Sequence, residues 1–145
     1  MPPTVVAVAS ALGITKKGQR STLDIIDEIA KGLPVEALQR LASRIAPDDA
    51  NFKFQIVPKA TLARRKNQPG AHLTSDESDR LARLAKVWTF AREVWGDDEE
   101  SARAFLFRPH ALLAGRRPID LSLRTELGAR LVEDILGRLK YGTAA

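Results

Sequence analysis

The stretch VPKATLARRKNQPGAHLTSDESDRLARLAKV, residues 57–87, decides how the chain is organised. Its first part is a short cationic segment that ends at Pro69-Gly70, because proline and glycine interrupt helices. Thr74 and Glu77 then have the spacing of a capping box, in which each side chain satisfies a backbone N–H group near the start of a helix. A long helix is therefore predicted from this point. The cationic part is typical of a segment that contacts an anionic partner, and the long helix of one that contacts protein.

The net positive charge of the chain lies in its first half. Residues 1–70 contain 11 Lys and Arg against 6 Asp and Glu, whereas residues 71–145 contain 12 of each. Localised basic charge is typical of proteins that bind nucleic acid, because neutralising phosphates releases condensed counterions. A soluble basic protein with a chance imbalance of charge is the alternative interpretation.

Composition excludes several kinds of chemistry. The 145 residues are 44% hydrophobic, as in a folded protein of one domain or two small ones. The chain has no cysteine, which excludes disulfides, thiolate chemistry and zinc held by cysteine. Its two histidines, His72 and His110, stand in loop-like sequence without a second ligand at a suitable spacing. We therefore predict neither a metal site nor a cofactor.

The first residues carry a short apolar run. Residues 5–12 are too few to span a bilayer, and no positive charge precedes the signal-peptidase-like Ala7-Val8-Ala9. We therefore expect residues 1–19 to form a flexible tail, with a small interface strand as the alternative, and the protein to be cytoplasmic.

Apolar residues recur at helical spacing through the rest of the chain, and no alternating pattern of a strand occurs. The fold class is therefore predicted to be all-α. The predicted helices cover residues 21–32, 34–46, 49–55, 58–66, 74–95, 97–108 and 125–141, with a short turn at 119–123.

Several of these helices begin with capping residues. The predicted caps are Ser21 with Asp24, Asp97 with Glu100, and Thr125. The last helix is expected to have one apolar face, formed by Leu127, Leu131, Ile135, Leu136 and Leu139.

A helix-turn-helix is predicted between residues 49 and 66. Residues 49–55 would form its first helix, Ile56-Val57 its turn, and the cationic segment its second helix, which in such motifs lies in the major groove of DNA. Leu62 is expected to face inward. The candidate DNA-binding residues are Lys59, Thr61, Arg64, Arg65 and Lys66. A solvated basic turn between two packed helices is the alternative.

The long helix has more apolar positions than one buried face requires. One stripe includes Trp88 and Trp95, and a second includes Phe90. A surface helix of a small protein usually has a single apolar face. We therefore expect Trp88, Phe90 and Trp95 to lie at an oligomer interface. The alternative is that other helices of the same chain cover both stripes.

With these segments located, the chain resembles the Xre/MbcA/ParS-type antitoxins of bacterial RES–Xre toxin–antitoxin pairs. The resemblance covers residues 20–145 and rests on an ordered series of segments: GLP at 32–34, TLARR at 61–65, LTSDESDRL at 73–81, AKV at 85–87, Pro109, GRRP at 115–118, TELGA at 125–129 and LGRLKYG at 136–142. Residues 48–55 depart from the family, in which small aliphatic residues are more common in the first helix of the motif.

The resemblance implies a two-part protein. Residues 20–70 would be an Xre-like helix-turn-helix domain that binds the promoter of its own operon, and residues 71–145 a small helical toxin-binding domain. The partner toxins of the family have the RES fold, resemble ADP-ribosyltransferases, and consume NAD or transfer ADP-ribose from it. The end of the antitoxin is expected to block the toxin's active-site cleft.

In this chain the expected toxin-binding residues are Arg138, Lys140, Tyr141, Gly142, Thr143, Ala144 and Ala145. The terminal carboxylate or Thr143 would meet donors that bind a pyrophosphate, or else Arg138 or Lys140 would pair with an acidic group of the toxin. The sequence leaves both possibilities open. Cations at this position also complement the helix dipole, which is the purely structural interpretation.

The sequence thus favours a non-catalytic antitoxin that binds a RES-domain toxin and operator DNA, as a homodimer within a larger hetero-oligomer. The alternative is a stand-alone helix-turn-helix regulator whose second half only dimerises. An enzyme is not predicted, because the sequence shows no nucleophile–base pair, glycine-rich phosphate loop or metal cluster.

Overall fold

The structure is a computed structural model, and it describes residues 3–14 and 21–142. These residues form helices joined by turns, and none of them lies in a strand, which confirms the all-α prediction. The helices are α1 Val5–Leu12, α2 Thr22–Lys31, α3 Val35–Ile45, α4 Lys59–Lys66, α5 Ser75–Val94, α6 Glu99–Phe107, α7 Pro118–Arg124 and α8 Glu126–Tyr141. Single 3₁₀ turns occur at Phe52–Gln55 and Ala111–Leu113. None of the described helices combines the length and the apolarity needed to cross a bilayer.

The chain forms two compact units, Thr4–Ala85 and the part from Lys86 onward. The first unit contains α1 to α4 and the first half of α5. The second contains the rest of α5 and α6 to α8.

Residues 5–12, part of the flexible tail expected over residues 1–19, form helix α1. Thr4 caps the helix by accepting a hydrogen bond from the backbone N–H of Ala7 at 3.1 Å, and Gly13 ends it with a φ of 72°. Val8 and Leu12 are buried where α1 packs on α2 and α3. An apolar run too short for a membrane thus becomes part of a core, because its caps close a short helix at both ends. Residues 15–20 lie outside the described residues. They include Lys16, Lys17 and Arg20, for which the sequence leaves open phosphate contacts or a solvated tail.

The connection between α2 and α3 is fastened to the segment that precedes α5. The backbone N–H of Leu73 donates to the Leu33 carbonyl at 2.7 Å, and that of Val35 donates to the Ala71 carbonyl at 3.2 Å. The N–H of Leu33 in turn donates to the buried hydroxyl of Ser78 at 2.8 Å. The start of α5 is therefore bound to a part of the chain about forty residues earlier.

The predicted first helix of the helix-turn-helix, residues 49–55, is instead a 3₁₀ turn at Phe52–Gln55. Two prolines, Pro47 and Pro58, bracket this segment and restrict the residues before them. The N–H of Asn51 donates to the side chain of Asp49 at 2.9 Å, a local bond that competes with an α-helical turn. Phe52 is buried and holds the turn against the core.

In the second unit the helix starts follow the sequence closely. Thr125 caps α8 by accepting from the N–H of Gly128 at 2.9 Å, as predicted. Asp98 rather than the expected Asp97 caps α6, by accepting from the N–H groups of Glu100 and Ser101. Asp97 has a φ of 68°, continuing the left-handed turn that Gly96 begins.

The apolar residues of α8 do not form the single buried face that the sequence suggests. Ile135 and Leu136 are buried. Leu127, Leu131 and Leu139 are exposed to 79%, 46% and 49%.

Gly32→Ala is expected to destabilise the first unit. Gly32 has a φ of 116°, and a Cβ at this position would collide with the backbone carbonyl oxygen of Leu73. Strain and collision together should reduce the free energy of unfolding by roughly 2–5 kcal/mol. Gly70→Ala is the matched control, because Gly70 has a φ of 63° but no atom near a Cβ. It should cost only about 1–2 kcal/mol. Equal losses in urea denaturation would contradict the close approach at Leu73.

Candidate functional site

The outward side of α4 carries exposed cations. Lys59, Arg64 and Lys66 are exposed, and so are the small residues Ala60 and Ala63 between them. Small side chains let a partner approach the helix backbone, and cations supply charge-assisted hydrogen bonds to phosphate oxygens. We call Lys59, Arg64 and Lys66 the α4 cationic surface.

The opposite side of α4 faces its own unit. Leu62 is 1% exposed, which confirms the prediction that it faces inward. Thr61 is half-buried. The guanidinium of Arg65 donates to the carboxylate of Glu77 in α5, and the two side chains are only 18% and 13% exposed. Thr61 and Arg65, two of the candidate DNA-binding residues, therefore lie toward the core side of the helix.

The carboxylate of Glu77 takes part in the capping box of α5 and also binds Arg65. Its carboxylate accepts from the backbone N–H of Thr74 at 2.9 Å, and its own N–H donates to the Thr74 hydroxyl at 3.2 Å, which confirms the predicted capping box. The same carboxylate oxygen accepts from Arg65. Burial alone raises the pKa of Glu77, but hydrogen bonds and charge from Arg65 together with the Thr74 bonds bring the pKa below its ordinary value of 4.5. The ionised carboxylate thus joins α4 to the start of α5.

A second arginine, Arg80 of α5, holds the turn before α4. Arg80 donates from Nη1 to the carbonyl oxygen of Ile56 at 2.6 Å. Ile56 and Val57 are both buried, as the tight apolar turn of the sequence predicts. Both ends of α4 are therefore fixed by arginine-mediated contacts with α5, so its outward side is held in place.

Lys53, which lies before α4, adds a cation beside the α4 cationic surface through its contact with the Phe54 ring. The Nζ atoms of Lys53 and Lys59 lie 5.5 and 5.7 Å from the centre of its ring. Cations over an aromatic face are attracted by the ring's quadrupole. Lys53 was not among the residues selected from the sequence. Its position next to Phe54 and six residues before Lys59 was the available signal.

In the second unit the two cations near the end of α8 have different surroundings. Lys140 donates from Nζ to Oε2 of Glu93 in α5 at 3.1 Å. This hydrogen bond raises the pKa of Lys140 above its ordinary value. Arg138 is exposed on α8, and Tyr141 is 58% exposed. Gly142 follows with a φ of 85°, and Thr143, Ala144 and Ala145 lie outside the described residues.

The aromatic residues expected at an oligomer interface are mostly covered by their own chain. Trp88 is 1% exposed and Phe90 3% exposed. Arg103 lies over the Trp88 ring at 5.7 Å. For Trp88 and Phe90 the structure therefore has the alternative arrangement, in which the chain itself covers these side chains. Trp95 alone of the three stays half-buried.

Trp95 lines an open groove of about 330 Å³. Its ring centre lies 5.4 Å from that of Phe105, which lies 5.9 Å from the His110 ring in an edge-to-face arrangement. Among the residues that the structure describes, no three His, Asp or Glu side chains are placed to hold a metal ion.

The described residues present two candidate binding regions, the α4 cationic surface and the exposed side of α8.

Comparison with family models divides the chain in the same order. Residues 24–86 match the antitoxin Xre-like helix-turn-helix domain, and residues 90–142 match the antitoxin Xre/MbcA/ParS C-terminal toxin-binding domain.

Three antitoxins are similar to this chain over most of its length. Antitoxin Xre of Yersinia enterocolitica is 31% identical over 119 residues, which cover 81% of this chain and 79% of that protein. Antitoxin Xre of Pseudomonas putida is 32% identical over 126 residues, 84% of this chain and 74% of that protein. Antitoxin Xre of Photorhabdus laumondii is 35% identical over 114 residues, 77% and 75% of the two chains.

Acid is expected to weaken the Glu77 contact. Because its pKa is lower in the folded protein than in the unfolded chain, its carboxylate stabilises the fold above about pH 4.5, and this contribution is lost as the pH falls through the depressed folded pKa. Glu77→Gln keeps a capping side chain but removes the charge that binds Arg65. The variant should be less stable than the wild type in urea at pH 7, and the difference should shrink at about pH 3.

Asp76→Asn is the matched control, because Asp76 is an exposed acid in the same first turn of α5. An equal and equally pH-dependent loss in both variants would show that general charge near the helix start, not the Arg65 contact, is responsible.

Proposed function

The chain belongs to the Xre family of antitoxins, and we propose that it binds and inhibits a cognate toxin of the RES fold and represses its own operon by binding DNA. The observation that supports this most strongly is the order of the two matched domains, a helix-turn-helix domain at 24–86 followed by a toxin-binding domain at 90–142. The proposed toxin consumes NAD or transfers ADP-ribose, as the family resemblance implies. The antitoxin itself acts without catalysis.

DNA binding is proposed for the α4 cationic surface. Lys59, Arg64 and Lys66 project from a helix whose two ends are fixed by Arg65 and Arg80. A held helix with outward cations and small residues between them suits the major groove. Operators are read in half-sites, so we propose that two copies of the chain bind together.

Toxin inhibition is proposed for the end of the chain, where α8 leads into Gly142 and the terminal residues. The sequence offered two cations as partners for an acidic group of the toxin, and both are exposed. Lys140 already binds Glu93, whereas Arg138 forms no ion pair with an acid among the described residues. We therefore assign the contact with a toxin carboxylate to Arg138. The terminal residues 143–145 would enter the active-site cleft.

The toxin proposal is tested by co-purifying the tagged chain with the RES-domain protein encoded beside it. We expect a stable complex, loss of NAD when the partner is alone, and silencing of that loss by one equivalent of antitoxin. Deleting residues 143–145 should leave the complex intact but restore most NAD consumption, because the cleft is then open.

The melting temperature of the deleted chain controls for folding. Failure of the full chain to bind the partner would contradict the proposed function. Full inhibition by the deleted chain would contradict only the role of the terminal residues.

The DNA proposal is tested with Arg64→Ala on a duplex that carries the promoter of the operon. The affinity should fall by about 5- to 100-fold, and the slope of affinity against salt should decrease by about one. Arg116→Ala, which removes an exposed cation of the second unit, is the matched control and should bind as the wild type does. Arg65→Ala should instead lower the melting temperature, because it leaves Glu77 without its partner. Equal binding by the Arg64 and Arg116 variants would remove Arg64 from the interface.

A further inference from the structure

Helix α6 has a face that its own unit leaves partly open. Ser101, Ala104 and Phe105 on this face are half-buried, and they line the open groove of about 330 Å³. The rings of Trp95 and His110 line the same groove, and each of them contacts the ring of Phe105. Aromatic side chains that stay partly exposed around a groove indicate a place where a partner binds.

The open face of α6 carries two rows of side chains. Residues four apart on an α-helix form a ridge, and the commonest way for two helices to pack is to place such a ridge of each in a groove of the other. Glu100, Ala104 and Arg108 form the first row, which we call the α6 ridge. Ser101 and Phe105 belong to the row beside it. The helix thus offers both a ridge and a groove next to it.

The charged residues of the α6 ridge differ from the other charges of the helix. Glu99 is paired with Arg103 of the same helix. Glu100 and Arg108 are exposed, and neither forms an ion pair with another described residue. They stand eight residues apart, which is about 12 Å along a helix and too far for them to pair with each other. An ionic partner for either residue therefore has to come from another molecule.

The spacing of these two charges is symmetric about Ala104. Glu100 lies four residues before Ala104, and Arg108 lies four residues after it. In a twofold antiparallel pairing of two α6 ridges centred on Ala104, Arg108 of each copy meets Glu100 of the other. One symmetric contact thus forms two ion pairs. The small side chain of Ala104 at the axis lets the two helices approach closely.

The side chains around the ridge are of the types found in protein interfaces. Aromatic residues and arginine are enriched at interface centres, and Trp95, Phe105 and Arg108 belong to these types. Nucleic acid is a poor occupant of the groove, because the exposed acids Asp98 and Glu100 would face its phosphates. A second copy of the chain supplies both the ridge that fits the groove and the opposite charges in the correct order.

We propose that α6 is a twofold interface between two copies of the chain, in which each α6 ridge lies in the groove of the other copy and Glu100 pairs with Arg108 on both sides of Ala104. The proposal rests on the proposed function in one respect, because it supplies the contact that joins the two copies on operator half-sites. The contact itself involves neither DNA nor toxin, so it is tested on the chain alone.

The test is a charge exchange followed by analytical ultracentrifugation over a range of protein concentrations. The wild type should form a dimer whose fraction rises with concentration, because a single helix crossing is a small interface. Glu100→Arg and Arg108→Glu each place like charges at both contacts. Each variant alone should self-associate at least about tenfold more weakly than the wild type.

An equimolar mixture of the two variants should recover most of the wild-type affinity, because each chain supplies the charge that the other lacks. The double variant with both changes should regain self-association for the same reason. Recovery on mixing also shows that both variants are folded. Arg130→Glu is the matched control, because it reverses an exposed cation of the same unit outside α6, and it should dimerise as the wild type does.

Three results would overturn the α6 interface: a wild type that stays monomeric at every concentration, single variants that self-associate as the wild type does, or a mixture that shows no recovery. Loss of binding to the RES-domain partner by Arg108→Glu, with self-association unchanged, would assign the groove to the toxin instead. These results leave the antitoxin function intact. If the wild type dimerised but bound no RES-domain partner, the proposed function would fail while the α6 interface remained.

Discussion

The start of α5 is the constraint on which the first unit depends. Within five residues it carries the Thr74 and Glu77 capping box, the Glu77 contact with Arg65 of α4, and the Ser78 hydroxyl that accepts from the backbone of Leu33. One carboxylate therefore both begins α5 and fixes α4 against it. Because the Ser78 bond is buried, its loss would leave a polar group without a partner. The orientation of the cationic surface on α4 follows from these contacts.

The sequence predicts most helix starts correctly because capping is a local interaction. Ser21 with Asp24, Thr74 with Glu77, and Thr125 each satisfy N–H groups within three residues, and the structure contains all three. Local patterns fail where the outcome depends on the rest of the chain. Helix α1 is stable because α2 and α3 cover its apolar side, which a run of eight residues does not reveal.

The apolar faces of α5 and α8 show the same limit of sequence analysis in opposite directions. Periodicity reveals that a helix has apolar stripes, but not which stripes its own chain covers. Two stripes on α5 suggested a partner, yet Trp88 and Phe90 are buried within the chain. The apolar residues of α8 suggested one buried face, yet Leu127 and Leu131 are exposed. Only the tertiary structure separates a buried apolar face from an exposed one, because both have the same spacing in the sequence.

Two pairs of neighbouring cations differ in the contacts that their members make. Arg64 and Arg65 are adjacent arginines, and Arg138 and Lys140 are cations two residues apart. In each pair one member is bound to an acid of its own chain: Arg65 to Glu77 and Lys140 to Glu93. A cation already paired with Glu77 or Glu93 must break that contact before it serves a phosphate or a toxin carboxylate. Arg64 and Arg138 form no ion pair with an acid among the described residues, so the contacts proposed for them require no such exchange. The acids of α5 thus hold one cation of each pair, a difference that depends on which side chains meet in space and that charge counting does not reveal.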